Sequence, residues 1–194
     1  YLREVVQEYE LDRNIGRGRI FRVDHTTTRR GPQPRMLDET PAQLVAHLSH
    51  ANGWWRSEAQ KLIILHGDKS VVPALEQLVR NGKNPLERLH ALWTLEGLDS
   101  VSGELLTSGF QDADPRLRSA AVRISETTMS SERTNDASIA GMPKDSDPNV
   151  LIQTILSLNR GRHPEAEKLT EAIVTSEAAN ESVRSIASQL KVRM

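Results

Sequence analysis

Apolar positions recur along most of this chain at spacings of three and four, and they come in short blocks separated by turn residues. Leu44, Val45 and Leu48 form one stripe behind Thr40 and Pro41, a helix-capping residue followed by a first-turn proline. A second block runs from near Trp54 to Gly67, which suits a left-handed C-cap. Val71, Val72, Leu75, Leu78 and Val79 line a third from Ser70, and Leu86, Leu89, Leu92, Trp93 and Leu95 line a fourth behind Asn84-Pro85. The pattern predicts further helices over roughly 101–111, 115–128, 136–142, 148–160, 164–175 and 181–191. The stretch from Ser130 to Met142 is rich in Ser, Thr, Asn and Gly, so its helix is expected to be short or frayed.

A helix-opening phrase returns along these blocks. Asp112-Ala-Asp114-Pro115-Arg116-Leu117-Arg118 reappears as Asp145-Ser-Asp147-Pro148-Asn149-Val150-Leu151, with looser copies at 52–56, 84–88 and 180–184. Anchored at 53, 85, 115, 148 and 181, the copies are spaced by 32, 30, 33 and 33 residues. Self-similarity at such a period marks stacked helical hairpins. The expected fold is therefore all-α, a right-handed α-solenoid of about five HEAT-like hairpins over residues 39–194. Such stacks present surfaces that hold other molecules.

The copies in register suggest what the repeat requires. Three positions after each anchor stand Arg56, Arg88, Arg118, Leu151 and Arg184; six positions after stand Ala59, Ala91, Ala121, Thr154 and Ala187. The small residues are expected at close helix contacts. The four arginines form either a structural ladder, paired with Asp112 or Asp114 and Asp145 or Asp147 of an adjacent copy, or a basic concave groove for a phosphate or acidic partner. Trp54 and Trp55 at a helix start suit packing against an adjoining domain or contact with a ligand or partner.

Residues 1–38 lack this period. Residues 1–9 read as a short helix or a turn-rich lead-in, and Gly18-Arg19-Ile20-Phe21-Arg22-Val23 reads as a short strand. A lone strand needs partners, so residues 1–24 are expected to be the tail of a preceding domain and the chain a piece of a longer protein. Residues 25–38, with prolines, glycine and threonines, read as a linker. Residues 1–36 carry eight arginines against five acidic side chains, a local balance of +3, which leaves 17 basic against 21 acidic groups in the remainder.

Composition narrows the function. A formal net charge of −1 removes any strong pull toward nucleic acid, and no nucleic-acid partner is expected. No run nears the roughly 18 apolar residues of a membrane span. The absence of cysteine excludes disulfides, thiol catalysis and Cys-ligated metal within these residues. His47 and His50 have a metal-sharing spacing, but HExxH is absent and no third ligand is evident. Gly16-Arg17-Gly18 lacks the remainder of a dinucleotide fingerprint, and Gly67-Asp68-Lys69-Ser70 lacks the upstream glycine of a phosphate loop. Asn180-Glu181-Ser182 matches a glycosylation acceptor only weakly. No catalytic, cofactor-binding or metal residue is expected in this chain.

Several stretches in this order carry a resemblance: Tyr1-Leu2-Arg3, the strand at 18–23, Asn52-Gly53-Trp54-Trp55-Arg56, and the run from Leu86 to Leu98. Together they resemble the membrane-bound dehydrogenase-like proteins of planctomycete and verrucomicrobial bacteria. In that family a β-propeller similar to quinoprotein sugar dehydrogenases precedes HEAT-like repeats, often followed by a c-type cytochrome domain. The resemblance spans roughly residues 1–123. It implies that residues 1–24 close a propeller, and that the parent acts in the periplasm or at the cell surface. It further implies that any pyrroloquinoline quinone, calcium or haem c belongs to parts of the parent outside this chain. The partners it implies are the adjacent domains of that parent or another protein.

Overall fold

The computed structural model describes residues 2–14, 25–27, 29, 31, 33–129, 139 and 141–191. Among them every regular element is helical. The strand expected at 18–23 lies outside the described residues. The chain divides into two units, Tyr1–Pro34 and Arg35–Met194. In the first, α1 (Leu2–Glu8) ends as Glu10 enters the left-handed region at φ 51° and leads into a 3-10 turn, Leu11–Asn14.

The second unit opens with a 3-10 turn, Met36–Asp38, whose Met36 is already buried in the core. Its helices are α2 (Pro41–His47), α3 (Gly53–His66), α4 (Val72–Asn81), α5 (Pro85–Gly97), α6 (Gly103–Phe110), α7 (Pro115–Met129), α8 (Pro148–Arg160), α9 (Ala166–Thr175) and α10 (Glu181–Lys191). The helix expected from Ser70 begins instead as a 3-10 turn, Lys69–Val71, with Asp68 accepting from the Ser70 N–H at 2.8 Å. Of the helix expected over 136–142, residues 136–138 and 140 lie outside the described residues. Ile139 is helical and buried, and Met142–Lys144 forms a 3-10 turn.

The order of packing follows the order of the chain. Neighbours pair as α2 on α3, α4 on α5, α6 on α7 and α9 on α8. The longer helices also meet one another in succession: α3 on α5, α5 on α7, α7 on α8 and α8 on α10. The small residues at the register position six past each anchor sit at these contacts, with Ala59, Ala91, Ala121 and Thr154 wholly buried and Ala187 nearly so. Thr154 fits an alanine position because its hydroxyl turns back to donate to the Val150 carbonyl at 2.8 Å, leaving no buried polar group unpaired. Between α6 and α7, Gly109 supplies the clearance: a β-carbon there would lie 2.9 Å from Ala121 Cβ.

Helix ends are specified locally. Thr40 and Gln43 form a capping box at α2, and Asn84 and Glu87 form another at α5. Gly67 closes α3 at φ 66°, donating to the carbonyls of Ile63 and Ile64. One continuous apolar core runs from Met36 to Leu169. A second cluster, Leu151, Ile155, Ile173, Ala179, Val183 and Ala187, joins α8, α9 and α10.

Candidate interaction surface

The register that opens each longer helix is a set of repeated hydrogen bonds. The residue before the anchor caps the helix: Asn52, Asn84, Asp114 and Asp147 accept the N–H two residues on, at 2.8 to 2.9 Å. Asn180 accepts from Val183 at 3.0 Å, so the weak glycosylation motif is occupied as a helix cap. Three residues before the anchor, His50, Asp112 and Asp145 each accept the N–H of that capping residue, at 3.0, 2.7 and 2.9 Å.

The arginines three past the anchor close the same loops. Arg56 donates through Nη1 to the carbonyls of His50 and Ala51, Arg88 to Gly82, and Arg118 to Asp112 and Ala113. Two of them also reach forward to the next loop. Arg88 Nη2 donates to Asp112 at 2.9 Å, and Arg118 holds Asp145 by two bonds, at 2.7 and 2.9 Å. Arg56 has no such carboxylate, because the matching position is Gly82. A β-carbon there would lie 2.5 Å from the Leu78 carbonyl oxygen and 2.9 Å from Arg88 Cγ. Where the arginine is replaced by buried Leu151, the forward position is Ala178, so both halves of the pair change together. Arg184 on α10 is exposed and has no acidic partner among the described residues.

These bonds fix the charges. Burial works against ionisation of Asp145, but the Arg118 guanidinium and the Asp147 N–H more than reverse it, and the carboxyl titrates below its ordinary range. Asp114 is held down to about 2, chiefly by its hydrogen bonds to Arg116. With their charges engaged by neighbouring loops, Arg88 and Arg118 are poorly available to a ligand.

A different face is open. Between α5, α7 and α8 lies a groove of about 320 Å³. Its apolar floor is Leu89, Trp93, Pro115 and Ala120, and Arg116, Arg123, Asp147, Asn149 and Gln153 stand among its walls. Beside it a polar cluster crosses from α7 to α8. Glu126, with a side chain only 7% exposed, is shared by Arg123 and by Arg160 Nε, the latter at 3.1 Å. Ser157 Oγ donates to its other oxygen at 2.7 Å, and Gln153 donates to Ser157 at 3.0 Å. Sequence reading missed this cluster because Arg123–Glu126 and Ser157–Arg160 look like ordinary solvated i,i+3 pairs. Only the contact between α7 and α8 brings them together.

Trp54 and Trp55 part company. Trp55 packs on the core, and its ring lies 4.9 Å from His50, stacked, and 5.0 Å from His47, tilted. Trp54 is half exposed and meets Trp55 edge-on at 6.0 Å. His47 Nε2 lies 2.7 Å from Glu39, and both histidine rings lie against Trp55; no group of three or more metal-ligating side chains converges among the described residues. No described helix is long and apolar enough to cross a membrane. No family model, curated protein or solved structure matches the chain.

Proposed function

We propose that this chain is a non-catalytic HEAT-like interaction module: a right-handed α-solenoid of about five helical hairpins whose longer helices display a protein-binding face. The single observation that carries this reading is the successive packing of α3, α5, α7, α8 and α10, tied by Arg88–Asp112 and Arg118–Asp145. Linear repeat stacks of this kind act by presenting extended surfaces. Polar groups that could do chemistry are largely engaged in caps and interhelical pairs. Within a larger dehydrogenase-like parent, as the stretches from Tyr1 to Leu98 suggest, the module would link and orient the propeller and electron-transfer parts at the periplasmic or outer cell surface.

Two measurements test this. An in-line stack of residues 35–194 should scatter X-rays with a radius of gyration well above the roughly 15 Å of a compact chain of that length. The purified protein, given pyrroloquinoline quinone, calcium and a panel of aldoses, should oxidise none of them. Turnover would overturn the non-catalytic reading, and a compact radius would overturn the solenoid. For the dehydrogenase association, the sequence of the parent on either side decides: blade-like strands before Tyr1 and a CxxCH after Met194 support it, and neither removes it.

A further inference from the structure

The groove between α5, α7 and α8 sets an apolar surface beside a pair of cations. Its floor is a continuous apolar surface of Leu89, Trp93, Pro115 and Ala120, wide enough for one large side chain. At its edge two guanidiniums share a single carboxylate. Glu126 is almost wholly buried and accepts from Arg123, Arg160 and Ser157, so it neutralises only one of the two positive charges. Arg160 is 73% exposed and Arg123 43% exposed, leaving donors of both guanidiniums open to solvent beside the groove. A guanidinium held by a buried acceptor has already lost much of its conformational freedom, so a second carboxylate meets a preorganised fork. Leu156, exposed, stands on α8 three residues past Gln153 and four before Arg160, a spacing that puts the three on one side of the helix.

Asp147 also lines the groove, but its carboxylate caps the N-terminus of α8 through Asn149 and Val150. Arg116 is likewise held by Asp114. The unbalanced charge therefore lies at the Arg123–Arg160 end. A nucleic acid would need a longer stripe of free cations than this face offers.

We propose that this groove receives a segment of a partner protein carrying an acidic side chain next to a large apolar one. The carboxylate sits between Arg123 and Arg160, and the apolar group lies on Leu89, Trp93 and Pro115. This rests on the interaction-module reading and names the partner chemistry of its face.

The test is selection of a random 12-residue peptide display library on the intact chain, followed by fluorescence anisotropy with the fluorescein-labelled consensus peptide. The expected consensus places Asp or Glu beside Leu, Phe or Trp. Arg123→Gln and Arg160→Gln, each leaving Glu126 one guanidinium, should weaken binding about tenfold. Ser119 also lines the groove, so Ser119→Trp, which fills it, should abolish binding, and Arg184→Gln should leave it unchanged. Thermal melts of each variant separate lost binding from lost folding. A basic or purely apolar consensus overturns the proposal, as does binding that survives all three groove substitutions in folded variants, or that is displaced by duplex DNA. Peptides that bind elsewhere, for instance losing affinity with Trp54→Ala, overturn this groove while leaving an interaction module. A library that yields no binder overturns both.

Discussion

Arg118 on α7 grips Asp145 in the loop before α8 with one edge of its guanidinium, Nε to Oδ2 at 2.7 Å and Nη2 to Oδ1 at 2.9 Å. The same arginine holds its own loop through the Asp112 and Ala113 carbonyls, and the same aspartate accepts the Asp147 N–H. The pair thus locks two successive helix starts together, with the Asp145 side chain 6% exposed. Removing Arg118 strands a buried carboxylate and two carbonyls, so Arg118→Ala should lower unfolding stability by about 3 kcal/mol. Arg56→Ala should cost less, since Arg56 answers only carbonyls and its Nε is buried without an acceptor among the described residues. Arg184→Ala should stay within about 0.5 kcal/mol. Urea unfolding of the three variants gives the order, and equal losses would refute the assignment.

Acid should attack the same clamps. Asp145 and Asp114 both titrate below their ordinary 3.8 in the folded chain, Asp114 at about 2. A depressed carboxylate pKa means that the unfolded chain binds protons first as pH falls. Stability contributed by these groups is present above pH ~4 and is lost as pH drops from there through the folded values. Asp145→Asn should remove part of that slope below about pH 4 while lowering stability at neutral pH. Urea midpoints measured across this range check both; a slope unchanged by the substitution would exclude Asp145 as a contributor.

Much of this was legible because the chain states its architecture several times. The phrase at Asp112–Arg118 and its copy at Asp145–Leu151 placed caps, small residues and arginines in register, and the small side chains from Ala59 to Ala187 are indeed buried. Which aspartate meets which arginine was left open, since Asp112 and Asp114 differ only in whether the side chain points across to the previous helix or along its own. Asp114 pairs with Arg116 and Asp112 with Arg88. The Glu126 cluster was not legible at all. Its partners lie some 30 residues apart, and nothing in a helical period marks one polar position as facing a neighbouring helix. The turn at Lys69–Val71 escaped because periodicity of three and of four is indistinguishable over so few residues.

Gly109 is a packing requirement, and that can be tested by restoring the space elsewhere. A methyl group at this position would lie 2.9 Å from Ala121 Cβ, and an alanine has no rotamer through which to yield. Gly109→Ala should therefore cost about 1–3 kcal/mol despite the better helix propensity of alanine. Adding Ala121→Gly should recover part of that loss, because the two substitutions exchange one methyl group across the same contact. A double-mutant cycle by urea unfolding measures the coupling. Strict additivity would mean that the two helices do not meet there.

His90 sets a second pH dependence, nearer neutrality. It is half-buried on α5, with Nδ1 2.7 Å from Gln60 Oε1 on α3. Burial first, and then the positive charge of Arg56, hold its pKa below the ordinary 6.5. The neutral ring, with Nδ1–H donating to the amide oxygen, is therefore the folded form. The unfolded chain takes up a proton at this residue before the folded one does as pH falls. The stability contributed is fully present above the unfolded pKa and declines as pH drops through 6.5 toward the lower folded value. His90→Gln, which cannot titrate, should flatten the fall in unfolding free energy as pH drops below the ordinary histidine range. Arg56→Ala should make that fall smaller and end it at a higher pH, because relieving the repulsion raises the folded pKa toward its ordinary value. An NMR titration of the His90 ring reports the folded pKa directly, and a value above 6.5 would reverse the sign of the whole effect.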